Sequence, residues 1–205
     1  MPDVQRQRMF LMAPMYCKWV RIMTINKDYS IKRFEAEIDI ETYVKDYVDV
    51  ETFMECCKAC PNYNKVWSCP PYDFNPLDYW NSFDRLLVVG YQLNFGSERT
   101  AESMTGALWD IKQKLTEELY SLEEEFPGSE SLSAGTCRIC DGCSKSEGTP
   151  CRFPEKMRYS IESIGGNVGK TISDLCGIEL EWIEEGKLPE HYALVGGLLK
   201  NNLKE

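Results

Sequence analysis

Apolar and charged side chains alternate over positions 32–40, with Phe34, Ala36, Ile38 and Ile40 on one side. That two-residue period predicts a half-buried strand. Positions 43–57 read as one or two short helices. Pro61, Pro70, Pro71 and Pro76 then make positions 60–76 a loop. Positions 86–95 are β-branched and aromatic, as in a buried strand. From 101 to 126, Met104, Leu108, Ile111, Leu115, Leu119, Leu122 and Phe126 recur at three- and four-residue steps. This stripe predicts a core-packing helix with a solvated Glu-rich face, capped by Thr100 and stopped by Pro127-Gly128. Positions 135–153 form a second loop, rich in Gly, Ser and Cys. Positions 154–163 and 168–176 read as short helices, and 178–183 and 192–199 as strands. The sum is an α+β fold: a single domain over 31–205 behind an N-terminal extension over 1–30. It has a central mixed or antiparallel sheet, flanking helices and two cysteine-rich metal-binding loops.

Composition narrows the classes. In 205 residues, 43% are hydrophobic and the net charge is -10. That suits one folded domain and excludes a disordered chain. No apolar run reaches the roughly 18 residues a membrane span needs. The acidic balance argues against nucleic acid or anionic lipid as partner. The start lacks the basic, apolar and small-residue succession of a secretory signal, so a cytoplasmic location is expected. There the 10 cysteines stay reduced. Reduced, clustered cysteines point to metal or catalysis.

The compact run is Cys137-x2-Cys140-x2-Cys143-x7-Cys151. Three thiols at two-residue gaps let a short loop wrap one compact object, as ferredoxin loops wrap a cubane iron–sulfur cluster. Structural zinc sites usually separate two C-x2-4-C knuckles by a longer loop, so this run favours [4Fe-4S] over zinc. The looser set is Cys56, Cys57 and Cys60, then Cys69 before Pro70-Pro71. It supplies three clear ligands, Cys56, Cys60 and Cys69. The fourth is Cys57, Cys17, Cys176 or no protein group. Both segments carry surplus cations. Residues 56–72 and 137–158 are each +2, leaving -14 on the rest. Cations near thiolate clusters stabilise them and raise their potential.

Residues 56–72, with the CPNY and WSCPPY runs, resemble a prokaryotic family named predicted metal-binding protein, domain of unknown function 2284. The stretch 137–151, the following RFPEKMR to Arg158, and the segment from Gly165 to Cys176 resemble its second half. The resemblance aligns its first early cysteine with Cys56 and makes Cys57 an addition. Phe153 stands where a histidine is expected, and Tyr159 where a proline is. It implies metal or cluster binding in anaerobic prokaryotes and no established reaction.

Other features carry less. The stretch from Gly165 to Thr171 has Ile164 where a phosphate loop needs glycine. His191, the single histidine, suits a surface or capping role, which removes most hydrolase arrangements. Trp67 and Tyr63 suit packing lids over the early site. The leading expectation is a cytosolic protein with one or two [4Fe-4S] clusters. It would transfer electrons with a redox partner protein. A reductive enzyme with an open cluster corner and a zinc-binding interaction module are the alternatives.

Overall fold

The computed structural model describes residues 18–24, 29–184 and 187–202. The alternation over 32–40 becomes β2 (Tyr29–Asp39), which pairs antiparallel with β3 (Arg85–Phe95) from Tyr29 opposite Phe95 to Asp39 opposite Arg85. β5 (His191–Lys200) joins the other edge of β3, and β4 (Glu130–Leu132) joins β5. Lys18–Thr24, within the stretch expected as an extension, form β1 against β2. The sheet is five-stranded in the order β1-β2-β3-β5-β4, with every pairing antiparallel. Both faces of the sheet are covered by helices carried on the long connections between its strands.

One face is covered by α4 (Ala101–Glu125). Ala107, Ile111, Leu115 and Leu119 pack on Ile31, Val89, Tyr91 and Leu93. Thr100 and Ser103 form a capping box at its start. The other face carries α1 (Ile40–Tyr47) and α5 (Val168–Cys176), which bury Tyr43 and Ile172 with Phe34, Ile38 and Leu86. α2 (Val50–Ala59) and α3 (Pro76–Trp80) extend this layer. The Trp80 indole is fully buried and donates to the Ile164 carbonyl at 2.9 Å. Gly165, at φ 90°, lies against Val50, where a Cβ would collide with the α2 backbone.

Three expectations are corrected. Positions 154–163 form turns with one 3-10 turn at Glu162–Ile164, not a helix. Arg158 is drawn to Glu123 on α4, and Ser133 N–H takes the Tyr159 carbonyl, which holds the chain out of helical geometry. Positions 178–183 do not form a strand. Ile178 is held in the core at the end of α5, its N–H on the Ile172 carbonyl, while Trp182 and Ile183 face outward. The Glu181 carboxylate is occupied by the Glu190 N–H and the His191 ring. The proline-rich loop ends at α3, with Asn75 as cap and Pro76 in its first turn, a start signal that the loop composition hid.

Candidate metal centre

The early cysteines begin on a helix. Cys56 and Cys57 close α2, and Cys60 caps it, its N–H on the Cys57 carbonyl at 3.0 Å. Neighbouring residues on a helix point about 100° apart, so the adjacent thiols face different ways. Cys56 is exposed and Cys57 is half-buried. Burial, and then the thiols of Cys69 and Cys60, push the Cys57 pKa up to about 11. Cys57 thus lies within electrostatic range of Cys69 and Cys60, although the resemblance aligns with Cys56. The chain then folds through tight turns. Asn64, at φ 56°, donates its N–H to the Pro70 carbonyl, and Cys69 donates to Val66. The Tyr72 hydroxyl holds the Ser68 carbonyl at 2.9 Å and stacks on Phe74.

The late loop is shaped by positive-φ glycines. Gly135, Gly142 and Gly148 sit at φ 69°, 96° and 70°, where side chains other than glycine are strained. Ser144–Glu147 form a 3-10 turn after Cys143. The buried Ser144 hydroxyl donates to the Pro150 carbonyl at 2.8 Å and brings Cys151 back toward Cys143. Arg152 reaches the Gly142 carbonyl at 2.9 Å and pairs with Glu147. Cys137, Cys140, Cys143 and Cys151 line one cavity of about 200 Å³. Burial raises the Cys137 pKa; the Ile139 N–H opposes this, and the thiols of Cys151, Cys143 and Cys140 add to it.

Sequence spacing treats the loops as separate. The structure locks them together. Trp67 N–H points to Cys143 Sγ at 3.4 Å, and Cys137 N–H donates to the buried Ser68 hydroxyl at 3.0 Å. Cys69 Sγ lies 3.1 Å from Thr136 Oγ1. Lys145 Nζ crosses to the carbonyls of Cys69 at 2.9 Å and Pro71 at 3.3 Å. Trp67 lines the four-cysteine cavity and donates its indole N–H to the Thr149 carbonyl. Tyr63 is not among the residues lining it.

The remaining predicted residues separate from this pair of loops. Cys176 packs in the core with Ile172 and Ile178, 8% exposed. Cys17 lies outside the described residues. His191 bridges Glu181 and the Glu179 carbonyl, a structural tie. Lys170 pairs with Asp174 and covers the Tyr47 ring, so the phosphate-loop lookalike serves α5.

Sequence reading missed Glu162. Its Oε2 has no solvent surface and no hydrogen-bond partner among the described residues. Burial holds its pKa above the usual carboxyl range. Its charge is felt by both Cys57 and Lys112. An isolated glutamate carries no spacing signal, so only packing reveals it.

Four thiols lining one cavity are a donor set that fits a metal. Among the described residues, no three His, Cys, Asp or Glu side chains converge to hold one ion. The four late thiols are among the residues that line the cavity of about 200 Å³. Among the described residues, no helix is long and apolar enough to cross a membrane.

No curated protein and no solved structure matches the chain. The family described as predicted metal-binding protein, domain of unknown function 2284, matches residues 39–199. That span holds every cysteine of both loops, and the chain belongs to this family.

Proposed function

We propose that this chain is an iron–sulfur redox protein. Cys137, Cys140, Cys143 and Cys151 hold a [4Fe-4S] cluster, and Cys57, Cys60 and Cys69 hold a second centre. The observation that carries the reading is the single cavity of about 200 Å³ walled by four thiols. Such a cluster, when bound, exchanges one electron at a potential set by charge, hydrogen bonds to sulfur and solvent access. Here Trp67 supplies an N–H to Cys143 and limits solvent access, while Arg152 and Lys145 supply positive charge beside the thiolates. The strongly acidic remainder of the chain suits docking of a basic redox partner protein in the cytoplasm.

A second reading, a reductive enzyme acting at the early centre, is favoured by one observation. Cys56 is exposed and lies about 100° around the helix from Cys57, so Cys57, Cys60 and Cys69 would serve as three ligands and leave a fourth position for a substrate.

Anaerobic purification with iron, sulfide and zinc analysis tests the proposal. About eight irons per chain with matching sulfide support two cubanes, and about four support the late cluster alone. Colourless protein with stoichiometric zinc overturns it. An EPR spectrum of the early centre that changes with added cyanide favours the enzyme; an unchanged one favours electron transfer.

A further inference from the structure

A second cavity, of about 330 Å³, shares the Cys137–Ile139 wall with the four-cysteine space. Its lining is cationic in a chain of net charge -10: Lys112, Arg138, Lys156 and Arg158 all face it. None of the described residues that line it is acidic. Among these cations, only Arg158 has a carboxylate within ion-pair distance among the described residues, at Glu123. Lys112 Nζ uses one donor on the Thr136 carbonyl at 2.8 Å, leaving two of an ammonium's three. The Arg138 guanidinium lies over the Trp109 ring, 4.2 Å from its centroid, with no hydrogen bond to a described residue.

The rest of the wall mixes apolar side chains with the polar Gln113, Thr116, Ser131, Ser133 and Thr136. Leu119, 2% exposed, lies at the buried side with Ser131, and Tyr120 and Ile139 flank it. Arg138, Ile139 and Lys156 are exposed and mark the rim. A volume near the low end of small-molecule sites excludes a polymer. Three cations without a carboxylate in ion-pair distance among the described residues, on a lining that holds no acid, raise the local concentration of anions. The apolar part of the wall adds affinity only for a ligand with an apolar body.

We propose that this cavity binds a small organic oxyanion, with a carboxylate or phosphate head on the cations and a flat apolar body against Tyr120 and Leu119. Cys137 belongs to both cavities, so the anion sits beside the late metal centre. The inference stands on the cavity's lining and does not require a particular metal.

Calorimetric titration of the full chain, with its metal content measured in parallel, tests it. The probes are benzoate, phenyl phosphate, neutral benzamide and inorganic phosphate. Benzoate or phenyl phosphate is expected to saturate with a Kd of about 1 mM or tighter. Benzamide is expected to bind at least about tenfold more weakly, since it keeps the body and loses the charge. The tighter of the two organic anions identifies the head group. Arg138→Gln and Lys156→Gln, both exposed and without a carboxylate partner among the described residues, each weaken the anion several-fold and leave thermal unfolding unchanged. Four results overturn the proposal: no saturable binding of either organic anion, benzamide equal to benzoate, inorganic phosphate equal to phenyl phosphate, or both variants unaltered. Loss of iron with retained anion binding sinks only the cluster reading; the converse sinks only this one.

Discussion

At the scale of single residues, a pair of adjacent cysteines shows what spacing cannot decide. Cys56 and Cys57 both satisfy a metal-binding spacing to Cys60 and Cys69. The difference lies in which helix face meets the body. Val50 touches Gly165, and Cys57 lies seven residues on, so both share the inward face of α2. That periodicity was present in the sequence, but its contact with 162–165 was not. Cys57→Ser is therefore expected to remove the early centre's metal, and Cys56→Ser to leave it. Metal per chain for the two variants checks this, and the reverse ranking would restore the alignment with Cys56. Glu162 gives a pH test. Burial raises its folded pKa, so the folded chain keeps that proton to higher pH than the unfolded chain does. Its stability contribution is full below the unfolded pKa and falls as pH rises toward the folded one. Glu162→Gln has no such titration. In the metal-free protein, parent stability is expected to decline relative to this variant as pH rises above the usual carboxyl range, read as a falling difference in Tm. Parallel stability–pH curves from denaturant titrations would remove the argument.

Elements were legible in proportion to their length and period. α4 repeats its apolar stripe over 25 residues, and β2 and β3 each run 11. β4 has three residues, too few to show a period, and exists because β5 offers it an edge. Tertiary partners likewise decided 154–163, where Arg158 left any helix for Glu123. That carboxylate ties α4 to two segments at once, through Arg158 Nε at 2.6 Å and the Ser131 N–H at 2.6 Å. Burial pulls its pKa up, but the Arg158 and Ser131 hydrogen bonds outweigh that and hold it below the usual range. The stabilisation is thus present above the unfolded pKa and lost as pH falls through the folded one. Glu123→Gln is expected to cost roughly 1–3 kcal/mol at neutral pH and to flatten the acid limb of the stability curve. Denaturant midpoints at several pH values measure both. Sheet packing offers a sharper case at Gly90. A methyl there would overlap the Phe34 ring and the Leu194 carbonyl of the neighbouring strand. Gly90→Ala is expected to destabilise by roughly 1–3 kcal/mol through overpacking; an unshifted midpoint would mean the strands part at little cost.

Across the whole molecule, the antiparallel frame brings together two loops about 70 residues apart in sequence and makes one block of them, as Ser68 and Cys137 show at a separation of 69. Each loop's own turns shape its thiols, but the contacts that fix one loop against the other come from both. Lys145 is the clearest of these, because it leaves the late loop to hold the Cys69 and Pro71 carbonyls. Arg152 spends its donors inside the late loop, on Gly142 and Glu147. Hydrogen bonds to charged groups contribute about 1.5–3 kcal/mol, enough to shift metal occupancy by tenfold or more. If the two centres share one scaffold, Lys145→Met lowers the metal content of both, and Arg152→Met lowers that of the late centre alone. EPR signals of the two centres, quantified against total metal, separate these outcomes. The interlock fails as an account of loading if Lys145→Met empties only the late site. It also fails if Arg152→Met empties both, because loss of either loop's own geometry would then suffice to undo its neighbour.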